Sequence, residues 1–257
     1  MLSQRNLSKL IRDLQRRKAR ERRNLVVLEG RRLVEDALAA EARAVGIVAA
    51  EDAGGLGAIL DRAGRRGVQV ERVTARELAE LAETDHPSGV IAVVEWEPPR
   101  IAELPEPPLG ATILVLDAIQ DPGNVGTMLR TSLALGVWAA IALDGTADVR
   151  SGKVLRAAMG AHFRLGVAEG SLAECAAFLR RHDARIMVSD AAASNPPARG
   201  PGERVALVVG NEGQGVRDDW NEVGGTTPVG IPMAGGAESL NAAIAAAIML
   251  YELTRER

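Results

Sequence analysis

Three loops of this 257-residue chain carry residue types that could do chemistry together. The first is Asp121-Pro122-Gly123-Asn124-Val125-Gly126-Thr127-Met128-Leu129-Arg130, between an expected strand and an expected helix. Glycine there lets the backbone approach a ligand, and free amides at a helix start attract anions. With Asn124 as the helix cap, Arg130 falls about one and a half turns further in, so both can address one site. The second loop, Val209-Gly210-Asn211-Glu212-Gly213-Gln214-Gly215, leaves an apolar strand as a backbone cradle with one carboxylate, Glu212. The third, Ile231-Pro232-Met233-Ala234-Gly235-Gly236-Ala237-Glu238-Ser239-Leu240-Asn241, joins a strand end to an alanine-rich helix, with Ser239 reading as its N-cap. Taken singly, each loop is an ordinary turn or cap.

Two common phosphate sites fit poorly. The glycine order from Gly210 is G-x-x-G-x-G, whereas a dinucleotide site needs G-x-G-x-x-G, and no second half of a doubly wound fold follows it. Gly152-Lys153 is followed by Val154, where a P-loop places a hydroxyl residue.

Hydrophobic periodicity supplies the elements that must position these loops. Residues 97–110 hold Pro98, Pro99, Pro105, Pro107 and Pro108, a density that resists helix and sheet and favours an extended linker. Before it, strands expected at 25–28, 44–49, 68–73 and 90–95 alternate with helices at 31–40, 56–63 and 75–82, a small α/β domain over residues 1–96. After it, strands are expected at 112–116, 138–143, 164–167, 185–189, 205–209 and 228–231. Helices at 125–135, 172–181 and 240–252 complete a second α/β domain over residues 111–257.

Composition narrows the function classes. Cys175 is the only cysteine, which excludes an intramolecular disulfide and a cysteine-rich zinc site. His86, His162 and His182 lack ligand spacing, so no metal is expected. The longest apolar run, residues 242–250, is too short for a bilayer, and the first residues lack the apolar core of a signal peptide; the expectation is a cytoplasmic protein without membrane contact. The net charge of −3 conceals a basic start. Arg5, Lys9, Arg12, Arg16, Arg17, Lys18, Arg20, Arg22 and Arg23 face only Asp13 and Glu21, while Leu7, Leu10, Ile11 and Leu14 recur at helical spacing. An amphipathic helix with a basic outer face suits phosphate contacts. At 2% aromatic residues, base stacking is not the main grip.

Together, and in this order, the three loops resemble the motifs of the SpoU (TrmH-type) RNA 2′-O-ribose methyltransferases: Asn-x-Gly-x-x-x-Arg, Gly-x-Glu-Gly, and Ile-Pro-Met…Ser-Leu-Asn. Leu28-Glu29-Gly30 and His86-Pro87-Ser88-Gly89-Val90 are similar, more loosely, to the substrate-binding domain that precedes many ribosomal-RNA members. The resemblance implies an α/β chain whose C-terminal SPOUT-type trefoil-knot methyltransferase domain follows a small α/β substrate-binding domain. It implies S-adenosyl-L-methionine as cofactor, held by Gly210, Ile231, Met233 and Leu240. The catalytic set it implies is Asn124, Arg130, Glu212, Ser239 and Asn241, in a homodimer with the closing helix near the interface. Family analogy gives Arg130 the activation of the 2′-hydroxyl, but a guanidinium has no acceptor and stays protonated. Arg130 is therefore expected to fix the adjacent phosphate and stabilise a developing alkoxide, the proton leaving to phosphate or water. Asn124 and Asn241 would orient it and the ribose, Ser239 would help place the nucleotide, and Glu212 would brace its loop. The N-terminal domain favours 23S ribosomal RNA as partner; a transfer-RNA enzyme and a non-catalytic RNA-binding factor are the alternatives.

Overall fold

The computed structural model describes residues 4–211, 213–234 and 239–255, with side chains from Leu7 onward. By contact the chain forms two units: residues up to Glu97 with Asp148–Phe163, and Pro98–Ala147 with the residues from Arg164.

In the first unit the basic start is two helices, α1 (Gln4–Leu14) and α2 (Arg17–Arg23), where periodicity reads as one. The break has a chemical cause. Arg16 is extended, and the buried Arg20 guanidinium donates to the carbonyls of Leu14 and Gln15, both at 2.8 Å, closing the end of α1. The same guanidinium reaches Asp148 at 2.5 Å. Leu7, Ile11 and Leu14 are buried, while Lys9, Arg12, Arg16 and Lys18 are exposed, so the expected basic outer face is present. There follow β1 (Leu25–Glu29), α3 (Arg31–Ala39), β2 (Ala44–Ala50), α4 (Gly57–Arg65), β3 (Val70–Val73), α5 (Ala75–Ala79) and β4 (Val90–Glu95). The sheet order is β1-β4-β2-β3, with β4 antiparallel to both neighbours. Glu29 is buried and accepts from the amides of Glu83 at 2.8 Å and Thr84 at 3.3 Å, with Arg156 at 3.6 Å. Its carboxylate pins the segment that leads into β4, which gives Leu28-Glu29-Gly30 a structural role.

The second unit holds β5 (Thr112–Asp117), α6 (Pro122–Ala134) and β6 (Ala139–Leu143). The chain then enters the first unit as α7 (Gly152–Ala158), a helix absent from the sequence reading. It returns as β7 (Gly166–Gly170), α8 (Leu172–Arg181), β8 (Arg185–Ser189), β9 (Val205–Gly210), α9 (Asp219–Val223), β10 (Thr226–Val229) and α10 (Ala242–Thr254). The described strands form a parallel sheet in the order β10-β8-β9-β5-β6-β7. Every residue of β5, β6 and β9 is buried, as expected of central parallel strands covered on both faces. Pro228 is tolerated because β10 is an edge strand. The proline-rich stretch is no free spacer: a 3₁₀ turn at Ile101–Glu103 buries Ile101 in the core of this unit.

His162 is buried in the first unit, its ring edge-on to Trp96 at 4.9 Å. Burial pulls its pKa down to about 4, so the folded chain keeps it neutral. An unfolded histidine titrates near ~6.5. Between these values the unfolded chain binds a proton that the folded chain does not, so this contribution is complete above the unfolded value and is lost as pH falls toward the folded one. Urea denaturation of the wild type should therefore show about 2 kcal/mol less stability at pH ~5 than at pH ~7 from this group. His162→Phe, which keeps a ring against Trp96, should flatten that difference; an unchanged pH dependence would place the linkage elsewhere.

Candidate active site

Strands β10, β8, β9 and β5 are consecutive and parallel, so their C-terminal ends lie along one edge, where open α/β sheets bind ligands. The segments leaving β8, β9 and β10, with the start of α10, enclose a cavity of about 260 Å³. Gly210, Ile231, Met233 and Leu240 all line it, and so does Ser239. Ser189, Asp190 and Asn211 also line it, although the sequence reading did not single them out. The available signal was positional: Ser189 ends β8, a strand flanked on both sides by strands carrying motif loops. Asp190 is the one ionisable side chain among the described lining residues.

The loops approach one another closely. A Cβ on Gly210 would lie 2.2 Å from the Gly215 carbonyl carbon and the Val216 nitrogen, and one on Gly230 would lie 2.1 Å from the Ala193 carbonyl oxygen. Only glycine fits either crossing. Asn211 then stitches the second loop. Its amide donates to Gly215 O at 3.0 Å, its Oδ1 accepts from the Gly213 amide at 2.8 Å, and its Nδ2 donates to Ala118 O, just past β5, at 3.2 Å.

Both expected helix caps are displaced. Asp121, not Asn124, caps α6: its Oδ1 accepts the Asn124 amide at 2.8 Å, and Pro122 occupies the first helical position. Asn241, not Ser239, caps α10, its Oδ1 accepting from the amides of Ala243 at 3.0 Å and Ile244 at 3.2 Å. Asn241 still has a donor free for a second partner, and its Nδ2 donates to Asn124 Oδ1 at 3.1 Å. The first and third loops are thus joined through two of the expected catalytic residues. Arg130 is not brought in with them. Val125, Met128, Leu129 and Ser132 form the buried face of α6, and Arg130 is exposed and outside the cavity lining. Glu212 and residues 235–238 lie outside the described residues.

Fold and site define an α/β ligand-binding domain, with its cavity at the strand ends, joined to a second α/β unit. The model of the SpoU rRNA Methylase family matches residues 111–251, and that of the MRM3-like substrate binding domain matches residues 6–92. The 23S rRNA (guanosine(2553)-2'-O)-methyltransferase RlmP of Bacillus subtilis is 34% identical over 250 residues, covering 93% of this chain and 92% of that protein. The 23S rRNA (adenosine(1067)-2'-O)-methyltransferase of Streptomyces laurentii is 30% identical over 203 residues, covering 77% of this chain and 74% of that protein. The crystal structure of an AdoMet-bound rRNA methyltransferase from Sinorhizobium meliloti superposes with a TM-score of 0.86 at 29% identity, covering 99% of this chain and 97% of that one. This chain belongs to the SpoU rRNA methylase family.

The two roles of Asn241 are separable. Asn241→Ala removes the cap and should lower unfolding free energy by about 1 kcal/mol. Asn241→Asp keeps an acceptor for the cap but cannot donate to Asn124, so it should recover most of that loss. Equal destabilisation of the two variants in urea would locate the stabilisation in the Asn124 contact instead.

Proposed function

We propose that this chain transfers the methyl group of S-adenosylmethionine to a ribose 2′-hydroxyl in 23S ribosomal RNA. The observation that carries the reading is the cavity itself: residues from two distant motif loops line it, and the Asn241–Asn124 hydrogen bond ties the remaining one to its edge. Relatives named as 23S rRNA 2′-O-methyltransferases support ribosomal over transfer RNA, and the AdoMet-bound neighbour supports the cofactor.

The lining residues fit that cofactor. Val209, Val229, Ile231 and Met249 offer an apolar wall for a purine and a thioether, glycine-rich backbone offers amides and carbonyls, and Asp190 offers one negative charge to a cationic ligand. Bound there, the cofactor supplies an electrophilic methyl group. The protein's contribution is alignment, which in such displacements carries much of the rate. Gly210, Ile231, Met233 and Leu240 hold the cofactor; Asn124 and Asn241 orient the ribose; Ser239, just before α10, helps place the nucleotide. Arg130 fixes the neighbouring phosphate and stabilises the alkoxide, the proton leaving to phosphate or water.

That role for Arg130 calls for a second copy of the chain. Ile244, Ile248 and Tyr251 are exposed on α10, spaced so that they share one stripe, and α6 packs on the same helix. A homodimer covering this stripe would bring Arg130 of the partner subunit to the cavity. The close crossings at Gly210 and Gly230 support a trefoil-knotted path through the last loops. The exposed basic residues of α1 and α2 grip the RNA backbone. Cytoplasm is the compartment that goes with a ribosomal substrate and with Cys175 as a free, buried thiol, its pKa pushed up to about 12 by burial and by the charge of Asp117.

Arg130→Ala should lose about 100-fold or more in tritium transfer to 23S rRNA while its affinity for S-adenosylhomocysteine stays within about twofold. Unchanged turnover would remove Arg130 from the mechanism. Ile248→Glu should sediment as a monomer and lose transfer; a fully active monomer would reject the shared site. Deleting the N-terminal helices would remove core leucines, so charge neutralisation tests the RNA grip more cleanly. Arg12→Gln, Arg16→Gln and Lys18→Gln should each flatten the slope of log affinity against log salt by about 0.7 to 0.9 if it meets a phosphate. An unchanged slope would leave α1 and α2 a structural role only.

A further inference from the structure

Asp117 is a fully buried carboxylate that the mechanism above does not use. It ends β5 and is the register partner of Gly210, where the second loop leaves β9. Its side chain meets the other end of that loop. Oδ2 accepts the Arg217 amide at 2.9 Å, and Oδ1 accepts Arg217 Nε and pairs with Nη2, both at 2.6 Å. One residue therefore holds both feet of the loop, the entry by sheet pairing and the exit by a charge-assisted bond to Arg217. Between those feet lie Asn211, Gly213 and Gly215, all of which line the cavity.

We infer that Asp117 and Arg217 are positioning residues that set the shape of the cofactor pocket by fixing where the chain returns beside Asn211, Gly213 and Gly215. The inference rests on the reading of this cavity as the cofactor site. A buried ion pair is weak evidence for net stability, because desolvation offsets much of the Coulomb attraction. Breaking one partner is a different matter, since the other is left without its counter-charge. The geometry gives the pair a local role, in which the carboxylate fixes where the chain returns and so where Gly213 and Gly215 present backbone to the ligand. Loss of the clamp should weaken cofactor binding more than it slows transfer at saturating cofactor, because neither side chain lines the cavity.

The test uses the full-length protein with S-adenosylhomocysteine as the probe in calorimetry, which reads the pocket independently of RNA. Arg217 is part-exposed, so Arg217→Met is the variant that should fold; Arg217→Lys keeps the charge but loses the Nε geometry. Arg217→Met should raise the dissociation constant about tenfold or more, with kcat at saturating cofactor changed less than about threefold, and Arg217→Lys should recover part of the affinity. Adding Asp117→Asn to Arg217→Met should cost little more, as expected of two residues acting as a unit. Amide exchange should rise at Asn211 and in residues 213–216 and stay unchanged in β5 and β9. Unchanged affinity in folded Arg217→Met would overturn the inference. So would a loss of affinity accompanied by faster exchange throughout the sheet, which would make the pair a general stabiliser. Failure of the wild type to bind the probe would count instead against the cofactor reading of the site.

Discussion

Backbone packs directly against backbone at two points in the second unit, and the geometry of the site depends on this. At Gly210 the strand end runs under the returning chain near Gly215, and at Gly230 it runs under the carbonyls of Asp190 and Ala193. No side-chain carbon fits at either crossing, so the two loops sit closer to the sheet than packing through side chains would permit. Four glycines, Gly210, Gly213, Gly215 and Gly230, bring main chain to the cavity wall beside its apolar side chains, and neighbouring hydrogen bonds hold that main chain in place. Asn195 contributes to this by accepting the Gly230 amide with its carbonyl at 2.9 Å and donating Nδ2 to Pro228 O at 2.8 Å. The glycine parts of the wall have no rotamers to swing between, which suits a site whose work is alignment.

Asn241 couples this cavity to the helix that carries the arginine. Its oxygen satisfies two otherwise unpaired amides at the start of α10, while its nitrogen reaches Asn124 in the first turn of α6. Neither aspartate nor serine performs both roles, since an ionised carboxylate has no donor and a hydroxyl is too short for both directions. The orientation of α6 relative to the cavity is thereby fixed at one end by a side-chain hydrogen bond and along its length by packing on α10.

Much of the fold is legible in the sequence because periodicity is a local signal. The helix at Leu172–Arg181 and the strands at Arg185–Ser189 and Val90–Glu95 match their expected bounds, and each has an uninterrupted pattern with clear ends. The misassigned caps show where local reading stops. Asp121 and Asn124 are both good caps; what decides between them is Pro122, pre-set for the first helical position, while at α10 the cap is Asn241, whose Oδ1 takes two amides. Helix α7 escaped because Val154, Leu155 and Ala158 are too few to establish a period, and their burial comes from a sheet far away in sequence. The motif loops point to Gly210, Ile231, Met233, Ser239 and Leu240, and these do line one cavity. Asp117 and Arg217 are a hundred residues apart, so no spacing rule pairs them.

The cavity carries little ionisable equipment, and that agrees with the chemistry asked of it. Among the described lining residues only Asp190 ionises. Displacement at a sulfonium methyl needs no acid to assist departure, because the leaving sulfur becomes neutral as the bond breaks. The remaining demand is on the nucleophile, a hydroxyl whose proton must go elsewhere as the new bond forms. In the proposed mechanism a guanidinium meets that demand by charge alone, lowering the energy of the alkoxide and holding the adjacent phosphate within reach of the departing proton. In the proposed mechanism, cofactor and nucleotide are therefore served by different parts of the protein: the segments leaving β9 and β10 for one, and a long cationic side chain on α6 of a second copy for the other. The Asn241–Asn124 bond joins the third loop to the first turn of α6, so the strand-end loops and that helix are held in one arrangement beside the cavity.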